Sequence, residues 1–148
     1  MRAARRGVVL GLLLLVPTGV RGADRGYHAP IAATCPVSSS FGEYRANHFH
    51  GGLDFSTSGE VGLPIHAIAD GWVWRVRASG SGYGRALYVR LADGRTQVTA
   101  HQSRFAPAIA AFVAAAQESL DRYEVDLSPG EGRLPVKRGE IIAWSGES

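Results

Sequence analysis

The sequence predicts a single, mainly β domain with antiparallel strands and one inserted α-helix. Its 148 residues are enough for one hydrophobic core and too few to favour two domains. Short apolar segments separated by glycine-bearing turns indicate antiparallel strands. One alanine-rich segment instead has its apolar residues at helical spacing.

Six segments have strand character, because they are rich in Val, Ile, Tyr and Trp and several alternate apolar with polar residues. Glycine-bearing turns, such as Asp70-Gly71 and Asp93-Gly94, separate them. Trp72 and Trp74 alternate along one segment and share a face, which favours core packing over carbohydrate stacking. The expected strands are Leu53–Ser56, Pro64–Ala69, Trp72–Arg77, Ala86–Leu91, Thr96–Ala100 and Glu140–Trp144.

The segment from Ala106 to Tyr123 predicts an amphipathic helix, with Pro107 tolerated in its first turn. The turn-rich sequence after it leads back to the last strand, so the helix and its return form one insertion of the β domain. The residues that recur at helical spacing are Ile109, Phe112, Val113, Ala116 and Leu120.

Residues 1–22 have the features of a secretory signal peptide. Arginines precede a short apolar run from Val8 to Val16, and small residues suited to signal peptidase follow. The run is much shorter than the roughly 20 residues that a membrane span needs, although an uncleaved anchor remains the alternative. We expect an extracytoplasmic protein, periplasmic or secreted, without a stable membrane span after cleavage. Residues 23–36 are expected to form an N-terminal arm, and residues 37–148 the domain.

The net charge of +3 does not indicate a nucleic-acid binder. Four of the 16 basic residues lie within residues 1–22, so cleavage leaves 12 basic against 13 acidic residues, a net charge of −1. The basic excess is therefore a targeting feature, and we expect no nucleic-acid partner. The single cysteine, Cys35, excludes an internal disulfide.

The stretch HFHGGLDF combines two histidines with an aspartate. Its two glycines disfavour a helix, and alternate side chains of an extended chain share a face, so His48, His50 and Asp54 point the same way. A neutral imidazole and a carboxylate are suitable zinc ligands. Because His-x-x-x-Asp spacing often arises by chance, the spacing alone does not separate a metal site from ordinary surface residues.

Three ordered blocks of the sequence resemble the lysostaphin-type zinc metallopeptidases, also called LytM-type or peptidase family M twenty-three. The blocks are SSSFGEYRANHFHGGLDFSTSGEVGLPIHAIADGWVWRV, GYGRALYVRLADGRTQVTAH and PVKRGEIIAWSG. The family consists mostly of peptidoglycan endopeptidases. The resemblance implies a compact antiparallel barrel-sandwich, Zn²⁺ as cofactor, and peptide stems or cross-links of bacterial peptidoglycan as substrate. It also admits envelope proteins as partners.

By this resemblance His50 and Asp54 are zinc ligands, and His101 falls on the family's catalytic histidine beside the zinc-bound water and the scissile carbonyl. An imidazole at that place can orient the water or stabilise charge on the tetrahedral intermediate. The chain has Thr99 and Gln102 where the family usually has a tyrosine and a leucine. These departures weaken the assignment of His101 and leave a structural hydrogen bond as its alternative role.

The family takes its third zinc ligand and catalytic base from a His-x-His segment after the strand that here reads GEIIAWSGES, and no histidine follows His101 in this sequence. A catalytic zinc normally has three protein ligands. We therefore expect a fragment of a zinc metalloendopeptidase, with little or no hydrolytic activity by itself. The alternative is a non-catalytic LytM-like domain that binds peptidoglycan or regulates a partner wall amidase.

Four other polar residues have less specific interpretations. His48 orients the site or makes a structural hydrogen bond. Arg45 contacts a substrate carboxylate or forms a surface ion pair. His66 is expected to pack within its strand, and His28 to be solvated.

Overall fold

Antiparallel strands dominate the structure, so the predicted mainly β class with one helix is confirmed. The computed structural model describes residues 26–147, and the signal peptide predicted for residues 1–22 lies outside them. The strands are β1 (Val37–Ser39), β2 (Tyr44–Arg45), β3 (His48–Phe49), β4 (Asp54–Phe55), β5 (Pro64–His66), β6 (Gly71–Ala78), β7 (Ala86–Leu91), β8 (Thr96–Thr99), β9 (Gln102–Phe105), β10 (Val125–Leu127), β11 (Pro135–Val136) and β12 (Ile141–Ser145); the helix α1 is Pro107–Leu120.

The strands form separate antiparallel sheets, and none of them closes into a barrel within residues 26–147. The largest sheet has the order β10-β6-β7-β8, with β11 also paired to β6. A second sheet has the order β5-β12-β9. Two small ladders, β1-β4 and β2-β3, lie near the start of the described chain; Asp54 belongs to β4, and His50 directly follows β3.

The core lies between the two larger sheets and α1. Val76 and Leu87, paired across β6 and β7, are fully buried, because alternation along each strand turns one face of the sheet inward. Ile142 of β12 and Val113 of α1 join the same cluster. Trp74 does not, since it packs against Tyr88 with ring centroids 5.9 Å apart. The core packing expected for Trp72 and Trp74 is therefore wrong: their burial is partial, beside the buried Val73.

A buried glutamine links the two larger sheets. Gln97 of β8 accepts a hydrogen bond from Ile68 N (3.0 Å) and donates one to His66 O (2.9 Å). One side chain thus satisfies two backbone groups at the end of β5 and fixes that strand against the five-stranded sheet.

The described part of the N-terminal arm runs along β5. His28 N donates to Ile68 O and His66 N donates to Pro30 O, both at 2.8 Å. The ring of His28 lies 5.0 Å from the ring of His66 and is only partly exposed, so the expected solvation of His28 is wrong. Burial and the neighbouring His28 lower the pKa of His66.

The helix α1 begins with Pro107 at its first position and ends at Leu120; the next residue, Asp121, adopts the left-handed conformation. Ile109 and Val113 are its buried residues, so its apolar stripe is narrower than the spacing predicts. No helix among the described residues is long and apolar enough to cross a membrane.

Candidate metal centre

A short hairpin and the ladder beside it position the candidate ligands. Gly42 N donates to His50 O, and His50 N donates to Glu43 O, both at 2.8 Å, so the β2-β3 hairpin continues to His50. Asp54 lies in β4 opposite Ser39 of β1. These two pairings bring the residues around His50 and Asp54 to one place.

The structure brings His50 and Asp54 into contact, with 3.2 Å between Nε2 and Oδ1. The His50 side chain is 15% exposed and that of Asp54 is 48% exposed. Two zinc ligands at about 2.1 Å from a tetrahedral metal lie roughly 3.4 Å apart. The observed separation therefore suits a shared zinc ion.

The hydrogen bond of Nδ1 determines which ring nitrogen of His50 is free to bind a cation. Nδ1 lies 3.0 Å from the carbonyl oxygen of Ser40, which can only accept, so Nδ1 carries a hydrogen. In the neutral ring Nε2 then presents its lone pair to Asp54 Oδ1, and two lone pairs in contact require a cation between them. Either a metal ion or a proton meets this need, so the geometry fits both a zinc pair and an ordinary imidazolium–carboxylate pair.

Arg45 forms an ion pair within the chain, the simpler of its two expected roles. Its Nη2 lies 2.7 Å from Asp54 Oδ2, the carboxylate oxygen that does not face His50. The same nitrogen donates to Ser39 Oγ at 2.9 Å. The carboxylate of Asp54 is therefore bound on one side and directed at His50 on the other.

Ser39 and Glu43 complete this network. The Ser39 hydroxyl donates to Glu43 Oε2 at 2.7 Å and lies 3.2 Å from His50 Nδ1. That hydrogen bond, together with one from the backbone amide of Ser40, lowers the pKa of Glu43, so the residue stays negatively charged beside Arg45. Sequence patterns did not identify Ser39, Ser40 or Glu43, because their contacts depend on the pairing of distant strands.

His48 is exposed, and Asn47 Oδ1 lies 2.6 Å from its Nδ1. It lies opposite Arg45 in the hairpin, so both residues share one face. Within residues 26–147 no hydrogen bond or ion pair links it to His50 or Asp54. A local hydrogen bond is thus the observed contact of His48.

His101 lies exposed in the turn between β8 and β9, in the left-handed conformation with φ of 54°. Its backbone donates to Tyr83 O (3.1 Å) and accepts from Gly146 N (2.8 Å), and its ring meets the Tyr83 ring edge-on at 6.3 Å. In the described part of the chain no hydrogen bond or ion pair joins it to the His50–Asp54 pair.

Thr99 and Gln102, which differ from the pattern of the family that the sequence resembles, contact each other across this turn. Gln102 Nε2 donates to Thr99 Oγ1 at 2.6 Å and to Thr99 O at 3.2 Å, and Gln102 is buried. The pair closes the turn that presents His101.

The described residues contain no group of three or more His, Cys, Asp or Glu side chains placed to hold a metal. No family model, curated protein or solved structure matches the chain.

Proposed function

We propose that the protein is a zinc metalloendopeptidase of the lysostaphin type, which hydrolyses peptide bonds in the stems or cross-links of peptidoglycan. The observation that supports this most is the contact between His50 Nε2 and Asp54 Oδ1, at a separation suited to one zinc ion. The resemblance of the three sequence blocks adds the substrate class. The antiparallel sheets are compatible with the family's barrel-sandwich, which is part of the same proposal.

Each residue has a distinct role in this mechanism. Zinc, when bound, lowers the pKa of its water and polarises the scissile carbonyl. His50 supplies the lone pair of Nε2, Asp54 supplies a negative oxygen, and the carbonyl of Ser40 keeps the His50 ring in the required tautomer. His101 orients the water or stabilises the developing oxyanion.

A third ligand and a base are expected from a His-x-His segment of the parent protein, following the strand that corresponds to β12. Gly146, directly after β12, donates a backbone hydrogen bond to His101 O. A segment leaving this strand therefore starts beside the histidine with which it would cooperate. We propose extracytoplasmic location as well, because peptidoglycan lies there.

A second candidate function is a non-catalytic LytM-like domain that binds peptidoglycan or a partner amidase. It is favoured by ring side chains that stand out on the hairpin beside the site. Phe41, Tyr44 and Phe49 are 75%, 71% and 69% exposed. Aromatic rings so placed suit binding to an extended ligand.

Hydrolysis by the parent protein separates the two candidates. Purified protein is incubated with isolated peptidoglycan, and newly released amino groups are counted. We expect turnover that falls at least about 100-fold in His101→Ala while bound zinc is retained, a loss typical of removing a general acid–base or oxyanion-stabilising group. His48→Ala is the control and should keep its activity. Binding to peptidoglycan without any released amino groups would instead support the non-catalytic domain.

A further inference from the structure

We propose that Arg45 is a positioning residue that restricts Asp54 to a single metal-binding oxygen; this inference rests on the zinc site proposed above. Arg45 Nη2 lies 2.7 Å from Asp54 Oδ2, while Oδ1 lies 3.2 Å from His50 Nε2. The two oxygens of one carboxylate therefore have different partners. The ion pair occupies Oδ2 and leaves Oδ1 for the metal.

The guanidinium is itself held in place. Its Nη2 also donates to Ser39 Oγ at 2.9 Å, and Ser39 donates onward to Glu43 Oε2 at 2.7 Å. Ser39 lies opposite Asp54 in the β1-β4 ladder, so the strands fix the spacing between the serine and the carboxylate. This makes Arg45 more than a freely rotating surface arginine, although its side chain is 39% exposed.

Such an arrangement favours a small cation. Zinc prefers four ligands in a tetrahedron, and one oxygen of Asp54 fits this geometry. Larger cations with higher coordination numbers accept both oxygens of a carboxylate. Because Arg45 binds Oδ2, larger cations cannot use this oxygen as a second ligand from Asp54. Zinc does not need it.

Removal of Arg45 has two effects of opposite sign on zinc binding. Loss of one positive charge roughly 6 Å from a screened dication strengthens binding about threefold. Loss of a group that orients a ligand weakens binding about 10-fold to 100-fold. Positioning is the larger effect, so the net result for zinc is a loss. For a larger cation the freed Oδ2 is a new ligand, so the loss is absent.

The test compares two metals on the parent protein, which supplies the third ligand proposed above. Mn²⁺ binding is followed by water-proton relaxation, and Zn²⁺ affinity is obtained by competition against Mn²⁺, for the unaltered parent protein and for Arg45→Met. We expect zinc affinity to fall about 10-fold while manganese affinity stays the same or rises, so that the preference for zinc falls at least about 10-fold.

Arg75→Met is the matched control. Arg75 also pairs with an aspartate, contacting Asp126 at 2.6 and 2.7 Å, with side chains 35% and 46% exposed, but it lies on the five-stranded sheet. Arg75→Met removes the same charge as Arg45→Met and should leave the affinities for Zn²⁺ and Mn²⁺ unchanged. Thermal unfolding without metal should be alike in both variants, which would exclude misfolding.

If Arg45→Met lowers the affinities for both metals equally, or leaves zinc affinity unchanged, the positioning role is overturned while the zinc site stays intact. Absence of zinc binding in the unaltered parent protein would overturn the proposed site and this inference with it.

Discussion

Gln97 offers a stringent test of how the two larger sheets are joined. The substitution Gln97→Leu keeps a side chain of similar size at a site that is 6% exposed, but it removes both hydrogen bonds to the end of β5. The amide of Ile68 and the carbonyl of His66 then lose their partner.

The cost follows from these two backbone groups. An unsatisfied buried donor or acceptor costs about 1–3 kcal/mol, and the added apolar burial of leucine offsets part of the sum, so we expect a net loss of about 2–4 kcal/mol. For a folded region of this size each kcal/mol corresponds to roughly 4 °C, which gives a decrease in Tm of about 8–16 °C.

Urea and thermal unfolding, followed by circular dichroism, measure the effect. Gln117→Leu is the matched control, because Gln117 also donates to a carbonyl, Tyr123 O at 2.6 Å, but at the exposed end of α1. We expect Gln117→Leu to lower the free energy of unfolding by less than about 1 kcal/mol. If Gln97→Leu unfolds within about 0.5 kcal/mol of the unaltered chain, the glutamine does not join the sheets and this reasoning is refuted.

Two further predictions concern β6 and β5. A Cβ added at Gly71 would collide with the carbonyl oxygen of Arg90, so Gly71→Ala should lower the free energy of unfolding by about 2 kcal/mol or more, whereas Gly130→Ala, with open space around it, should change it little. Equal stability of the two variants in urea would contradict the tight approach of β6 and β7. Because burial and His28 lower the pKa of His66 from 6.5, the unfolded chain binds the proton more readily, and stability should decrease as the pH falls below about 7 toward 5. His66→Phe should lose this part of the pH dependence in denaturation curves at pH 5–7, and an unchanged slope would rule out His66 as its source.

Strands with strong local patterns were predictable from the sequence. Ala86–Leu91 is observed with the predicted bounds, and the strands observed at Gly71–Ala78 and Thr96–Thr99 lie within one or two residues of theirs. The strands Gln102–Phe105 and Pro135–Val136 were not predicted, since polar residues and a proline give no strand signal. Their pairing with β12 and β6 determines their conformation, and a local pattern does not contain that information.

The candidate site was likewise predictable from the sequence only in part. The motif marked His50 and Asp54, but the shell around them depends on the β1-β4 ladder, which brings Ser39 opposite Asp54 across 15 positions of sequence. Thr99 and Gln102 looked like independent departures from the family pattern, whereas they form one hydrogen-bonded pair. Such coupling follows from the closure of a turn and is not visible in either residue alone.

A measurement of zinc ligation at His50 tests the central claim most directly. In the ¹⁵N-labelled parent protein titrated with zinc, we predict that the Nε2 resonance of His50 shifts while Nδ1 stays protonated, because Nδ1 is bound to Ser40 O. His50→Ala should abolish zinc binding measured by metal analysis, and His48→Ala should leave it unchanged. Undiminished zinc in His50→Ala, or coordination through Nδ1, would contradict the proposed centre.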